Sequence, residues 1–155
     1  MNSGRVTFLI DSHMENVPLV GMSVNRLCLA ASFSALEAFN IELCVVEAVT
    51  NSIRHCYGGK AGHEVKVVLT FTTKEVVLDI CDIGPPMEAG LLDKAAIQCP
   101  AVDDCGIEAI PEGGRGLGIM REIMDSVTYR SEGGVNCLTL KKRLPGKEGT
   151  EPVKG

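Results

Sequence analysis

The first candidate for a functional site in this sequence is a pair of polar residues one helical turn apart. Glu47 and Asn51 flank the run Glu47-Ala-Val-Thr-Asn51, within a segment that has apolar residues at helical spacing. On a helix the pair shares the face opposite the apolar stripe. If this face lines a cleft, Asn51 could offer its amide oxygen to Mg²⁺, and Glu47 could accept a proton from an attacking hydroxyl. If the face is solvated, the pair is only the polar side of a surface helix.

A second candidate is the turn Asp82-Ile-Gly-Pro-Pro86, which follows a β-rich run. Asp82 could accept a hydrogen bond from a purine amino group, and Gly84 would let the backbone pass close to the ring. Asp, Gly and Pro are also ordinary turn residues, so a polar turn without a ligand is the alternative.

The third candidate is the glycine-rich run Gly113-Gly-Arg-Gly-Leu-Gly118, which precedes an apolar helical pattern. A helix N-terminus suits phosphate, because its N–H groups are free and its dipole end is positive. The alternative is a linker with a tight helix–sheet contact. No strand directly precedes these glycines, which argues against a dinucleotide fingerprint, and the lysine of a P-loop is missing. The three segments in this order point to ATP.

Periodicity and turn signals predict the elements that must position these segments. Strands are predicted over 5–10, 65–71, 76–81, 126–130 and 136–143. Helices are predicted from Asn16 with Pro18 at its start, from a Ser34 capping box to about His55, over 91–96 and over 116–125. Hairpin-linked strands favour an antiparallel or mixed sheet with helices on one face, which is a two-layer α+β sandwich. The uncovered face of that sheet is a candidate surface for a partner.

The remaining segments are predicted to be irregular. Residues 97–112 carry helix breakers and acids without clean periodicity, which predicts a mobile loop. A single domain is predicted over 1–145, followed by a flexible tail over 146–155 that is rich in Gly, Lys, Glu and Pro.

Composition excludes several classes of function. The net charge is -5 and no block of Lys or Arg occurs, so direct nucleic-acid binding is not favoured. No signal peptide is evident at Met1, and no apolar run approaches the roughly 20 residues that span a bilayer. The 7 cysteines form no CxxC pair, so they are predicted to be small buried hydrophobes in a reducing cytoplasm.

The ordered motif set resembles the GHKL ATPase superfamily and, within it, the anti-sigma factor serine kinases. Glu47 and Asn51 match its N box, Asp82-x-Gly84 its first glycine box, and Gly113 to Gly118 its second. The closing Leu140-Lys-Lys-Arg-Leu144 also fits, so the resemblance covers about residues 5 to 144.

This resemblance implies a Bergerat-fold domain that binds Mg-ATP, with Glu47 as the catalytic residue and Asn51 as the metal ligand. The nucleotide contacts that it implies are Asn51, Asp82, Gly84, Pro86, Gly114, Arg115, Gly116, Leu117 and Gly118. Arg115 is the candidate contact of the γ-phosphate. The resemblance further implies a cytoplasmic homodimer that binds a sigma factor and phosphorylates a serine of a small anti-sigma antagonist, which is then released.

One departure and two alternative functions accompany this resemblance. Asn136-Cys137 stands where many superfamily members have a Gly-Thr-Thr run near the adenine. One alternative is a regulatory module that binds nucleotide and acts by binding alone, against which the presence of Glu47 argues. The other is an ATPase domain that works in trans in a histidine or aspartate phosphorelay.

Overall fold

The computed structural model describes residues 3–93 and 112–146, with the backbone alone for 112–115. Its strands are β1 (Gly4–Asp11), β2 (Glu64–Phe71), β3 (Glu75–Asp82), β4 (Ser126–Glu132) and β5 (Val135–Arg143). Its helices are α1 (Val17–Ala30), α2 (Ala35–Asn51) and α3 (Glu112–Ile123), with a 3₁₀ turn at Met14–Asn16 and a π-helical turn at Ser52–Cys56. The predicted strands and the first two helices therefore form close to their predicted positions.

The five strands form one sheet in the order β1-β2-β3-β5-β4, and each neighbouring pair is antiparallel. Burial alternates along β3, whose even-numbered residues are buried and whose odd-numbered residues are half-buried. This alternation is expected when helices cover one face of a sheet. The predicted two-layer α+β sandwich is confirmed.

The core lies between this sheet face and the helices. Ile41, Val45 and Val49 recur every four residues along α2 and are completely buried. They pack in one cluster with Leu78 and Leu140 from the central strands. Burying this stripe of α2 fixes the rotation of the helix, so the polar pair on its other side has a defined direction.

Helices α1 and α2 differ in the side-chain hydrogen bonds at their N-termini. Ser34 forms the predicted capping box, because its Oγ accepts from Glu37 N–H at 3.2 Å while Glu37 Oε2 accepts from Ser34 N–H at 2.9 Å. The hydrogen bond from the Ser34 N–H, with a further contribution from the Ser34 side chain, lowers the pKa of the Glu37 carboxyl. Asn16 holds the predicted cap position of α1, but its side chain donates to the Asp11 carbonyl at 3.2 Å instead of capping the helix.

Helix α3 begins at Glu112, four residues before the predicted start at Gly116. The glycines of the third segment therefore lie within its first turns and do not precede it. Glycine lowers helix propensity, which favoured the later start, but packing overrides propensity here because α3 lies against α2. Residues 91–93 of the predicted helix over 91–96 are helical, and its second half lies outside the described residues. So do residues 97–111 of the predicted loop over 97–112 and all but Gly146 of the predicted tail.

The cysteines behave in two ways. Cys28 and Cys44 are buried as predicted, and burial raises the pKa of each thiol to about 12. The prediction is wrong for Cys81 and Cys137, which form a disulfide between β3 and β5. Their separation of 56 residues leaves no pairing signal in the sequence, and only the register of the two strands brings them together.

Candidate active site

A cavity of about 280 Å³ lies among the C-terminal half of α2, the end of β3 and the first turns of α3. Side chains such as Ile80, Leu117 and Leu138 give it apolar walls. The predicted site residues that line it are Asn51, Asp82, Pro86 and Leu117, and His55 lies beside them. An apolar cavity with a few convergent polar groups suits a flat organic ligand held in one orientation.

Asp82 is the buried carboxylate of this cavity, which the exposed Glu88 also lines; it ends β3 and is only 7% exposed. Its Oδ1 accepts from Gly84 N–H at 3.2 Å and from Asn136 Nδ2 at 2.8 Å. The Cys56 thiol lies close enough to this carboxylate to interact with it, but the hydrogen bonds that residues 3–93 and 112–146 form with Asp82 in good geometry all reach Oδ1. Asp82 therefore uses one oxygen within the protein and keeps the other for a group in the cavity.

The loop after Asp82 is held by two tyrosines that sequence reasoning did not predict as part of the site. Tyr57 Oη accepts from Ile83 N–H at 3.0 Å, and Tyr129 Oη accepts from Met87 N–H at 2.8 Å. Burial raises the pKa of both phenols, and the Asp82 carboxylate adds to the effect. They are the only 2 tyrosines of the chain, and this rarity is the one sequence signal that could have drawn attention to them.

Gly84 makes a close backbone contact with the π-helical turn. A Cβ at position 84 would overlap Cys56 Cβ and lie 2.9 Å from the Cys56 carbonyl oxygen, so only glycine fits. The predicted approach of Gly84 to a purine ring stays a prediction. Cys56 itself lines the cavity, and burial, aided by Asp82, raises the pKa of its thiol to about 12.

The first and third segments of the sequence meet at Gly116. A Cβ at this position would lie 2.9 Å from Glu47 Oε2 and 3.4 Å from Asn51 Nδ2. Helix α3 therefore covers the polar face of α2 at the predicted pair, so this face is not simply solvated. The side chains of Glu47 and Asn51 form no hydrogen bonds with each other or with the other described residues.

The other residues of the third segment lie around this contact. Leu117 and Gly118 are buried, and Leu117 also lines the cavity. Gly114 and Arg115 belong to the first turn of α3, where backbone N–H groups lack intrahelical partners. Only the backbone of Arg115 is described, so its predicted phosphate contact stays a prediction.

The described residues lack features of two other kinds. No group of three or more His, Cys, Asp or Glu side chains within 3–93 and 112–146 could hold a metal ion. In the same part of the chain, no helix has the length and apolar character needed to cross a membrane.

Comparison with protein families identifies the family of this domain. Residues 10–142 match the family model of the histidine kinase-like ATPase domain. The chain belongs to this family. The predicted superfamily is thereby confirmed, and ATP is the nucleotide that its domain implies.

Curated relatives extend the comparison along most of the chain. The chain is 32% identical over 119 residues to the serine/threonine-protein kinase BtrW of Bordetella bronchiseptica, covering 76% of this chain and 78% of BtrW. It is 25% identical over 132 residues to the serine-protein kinase RsbW of Bacillus pumilus, covering 85% of this chain and 82% of RsbW. A further RsbW, from Listeria monocytogenes, is 23% identical over 137 residues, covering 88% of this chain and 86% of that protein.

Proposed function

We propose that this protein is an ATP-dependent protein serine kinase that acts as an anti-sigma factor. It binds a sigma factor and phosphorylates one serine of a small anti-sigma antagonist. The observation that carries this proposal is the convergence of all three sequence segments at one cavity, with Glu47 and Asn51 against the first turns of α3. The serine kinases among the relatives support the reaction type.

In this proposal the cavity holds the adenine and the start of α3 holds the phosphates. The adenine amino group donates to Oδ2 of Asp82, while Pro86 and Leu117 border the ring. The N–H groups and dipole of α3 stabilise the phosphate charge. The glycines at positions 114, 116 and 118 permit close approach, and Arg115 contacts the γ-phosphate.

Asn51 is the proposed ligand of Mg²⁺. Its amide lines the cavity, lies next to Gly116, and is not hydrogen-bonded to another described residue. An uncommitted amide oxygen beside the phosphate site fits a cation that binds oxygen through one or two protein ligands plus phosphate. When bound, Mg²⁺ would offset the negative charge that develops on the transferred phosphoryl group.

Glu47 is the proposed general base. Its carboxylate reaches the first turns of α3 at Gly116, beside the proposed phosphate site. A serine hydroxyl presented there would donate its proton to Glu47 while its oxygen attacks the γ-phosphorus, and the bond from that phosphorus to the β,γ-bridging oxygen would break to release ADP. Phosphoserine then adds negative charge next to Glu47, and the repulsion favours release of the antagonist.

Protein partners require accessible surface, and apolar side chains supply it in two places. Leu9 of β1 and Leu19 of α1 are 62% and 58% exposed near the edge of the sheet. Leu36 and Phe39 of α2 are 69% and 56% exposed. Exposed apolar side chains of this kind mark surfaces that bind other proteins. We assign these two places together to the contacts with a second copy of this chain in a homodimer, with the cytoplasmic sigma factor and with the antagonist.

The test of this function is affinity capture of the tagged protein from its source cell, with and without ATP, followed by mass spectrometry. A sigma factor and a small antagonist should be recovered, with the antagonist phosphorylated on serine when ATP is present. The Asp82→Asn variant is the control, since it should bind the antagonist without modifying it efficiently. Recovery of neither partner under both conditions would contradict the proposal.

A further inference from the structure

Asn136 lies behind the adenine-reading carboxylate and is almost completely buried, with 2% of its surface exposed. It stands on β5 directly opposite Asp82 on β3. Its Nδ2 donates both to Asp82 Oδ1 and to the Gly84 carbonyl oxygen, each at 2.8 Å. Both amide hydrogens are therefore used inside the protein, and Asn136 has no donor left for a base.

The two acceptors around Nδ2 fix which way this amide points, and Ser131 completes the network. Ser131 Oγ donates to Asn136 Oδ1 at 2.7 Å. Flipping the amide would place its oxygen against the Asp82 carboxylate and the Gly84 carbonyl, so the network permits one orientation only. The donor side of Asn136 consequently always faces Asp82.

We propose that Asn136, oriented by the Gly84 carbonyl oxygen and the Asp82 carboxylate, is a positioning residue that sets the purine selectivity of the site. The inference rests on the proposed function, in which Asp82 reads the adenine. Asn136 and the Gly84 N–H together occupy Oδ1 of Asp82, which turns Oδ2 to the cavity as an acceptor. An acceptor there pairs with the 6-amino group of adenine and opposes the 6-carbonyl oxygen of hypoxanthine or guanine.

The same geometry predicts an inversion of selectivity. In an Asp82→Asn variant, the fixed donor of Asn136 would hold the new carbonyl oxygen in the place of Oδ1. The new amide nitrogen would then face the cavity as a donor. This donor suits the 6-carbonyl oxygen of inosine triphosphate (ITP) and opposes the amino group of ATP.

The experiment measures dissociation constants for ATP and ITP by calorimetry on the full chain. The proteins compared are the wild type, Asp82→Asn, Asn136→Thr and the double variant. Asp82→Asn should weaken ATP roughly 5- to 150-fold and shift the ATP-to-ITP preference toward ITP by about tenfold or more. Adding Asn136→Thr should reduce that shift measurably, because a hydroxyl can either donate or accept and only the Gly84 N–H, at 3.2 Å, then still favours the carbonyl oxygen in the place of Oδ1.

Three controls separate positioning from folding. Asn136→Leu, with similar volume and no hydrogen bonds, should lose more ATP preference than Asn136→Thr. Thr128→Ala, an exposed position on β4, should leave both dissociation constants at the wild-type value. The midpoint of thermal unfolding identifies a variant that has merely lost its structure. Such a variant would bind ATP and ITP more weakly by the same factor.

The outcomes distinguish this inference from the function on which it rests. If Asp82→Asn weakens ATP but adding Asn136→Thr leaves the ATP-to-ITP preference of that variant unchanged, the positioning role is wrong and the pocket stands. If Asp82→Asn binds ATP as the wild type does, the pocket assignment itself is wrong.

Discussion

At the scale of single residues, the site is defined by which polar atoms remain uncommitted. Asp82 keeps one oxygen for the cavity, and Asn51 keeps its whole amide. Asn136, by contrast, uses all of its hydrogen-bonding hydrogens on its neighbours. Asp82 and Asn51 are therefore free to contact the nucleotide and the metal ion in the proposed site, whereas Asn136 acts through Asp82.

The uncommitted amide of Asn51 predicts a metal-dependent effect. Asn51→Ala should weaken ATP binding in the presence of Mg²⁺ and have little effect with a chelator, because only the metal-bound state loses an oxygen ligand. Calorimetric titrations with and without Mg²⁺ measure this difference. His55→Ala, which alters another residue of the cavity wall, is the matched control and should show no such dependence on metal.

The structure places Asn51 and Asp82 at one cavity and Glu47 beside Gly116, while the chemical roles of these three residues stay predictions. Each segment alone also fits a solvated helix face or an ordinary turn, and only the ordered set of three segments indicated a nucleotide site. The two tyrosines that hold the loop were missed, since a phenol accepting from a backbone N–H more than 25 residues away has no local pattern. The alignment of Asn136 with Asp82 likewise needed the strand register.

At the scale of elements, α2 and α3 form the site through a close contact at Gly116. Gly116→Ala would place a methyl group 2.9 Å from Glu47 Oε2, and the flexible carboxylate would move aside. Ala is also favoured over Gly in a helix by up to about 1 kcal/mol. The variant should therefore be at least as stable as the wild type yet transfer phosphate more slowly.

Urea unfolding and single-turnover phosphate transfer measure the two effects of Gly116→Ala separately. Gly4→Ala serves as the control, because a Cβ at Gly4 meets nothing within 4 Å. An active and destabilised Gly116→Ala protein would contradict the proposed arrangement of α2 and α3.

The disulfide also connects two elements of the fold. It joins β3 to β5 next to Asp82 and Asn136, which are paired across the two strands. It closes a loop with a sequence separation of 56, and a disulfide of this kind stabilises by about 2–4 kcal/mol. Reductant should lower the free energy of unfolding by about that amount. A Cys81→Ala, Cys137→Ala double variant should not respond to reductant, and an equal response in both proteins would exclude the disulfide as the cause.

At the scale of the whole molecule, burial of thiols links stability to pH. The pKa values of Cys28 and Cys44 rise from 9.0 to about 12 on folding. The stability from keeping these thiols neutral is complete below pH 9 and is lost as the pH rises toward 12. The free energy of unfolding should therefore fall in this range, and less steeply in a Cys28→Ala, Cys44→Ala double variant. Equal slopes for the two proteins would contradict this.

The fold as a whole was more predictable than the site. Strand alternation, the Ser34 capping box and the apolar stripe of α2 are local patterns, and they gave the α+β sandwich. The start of α3 and the disulfide were not predictable, because each depends on which distant element packs nearby. The single domain over 1–145 stays a prediction, although the family match spans residues 10–142.

In the proposed function, Glu47 acts as the general base in the transfer of the γ-phosphate of ATP to a serine. The most direct measurement uses labelled ATP and the small antagonist recovered by capture, and compares the wild type with Glu47→Gln. The wild type should form acid-stable phosphoserine, and Glu47→Gln should bind ATP normally but transfer about 10²- to 10⁴-fold more slowly. Equal transfer rates, or an acid-labile phosphate in place of phosphoserine, would contradict the account.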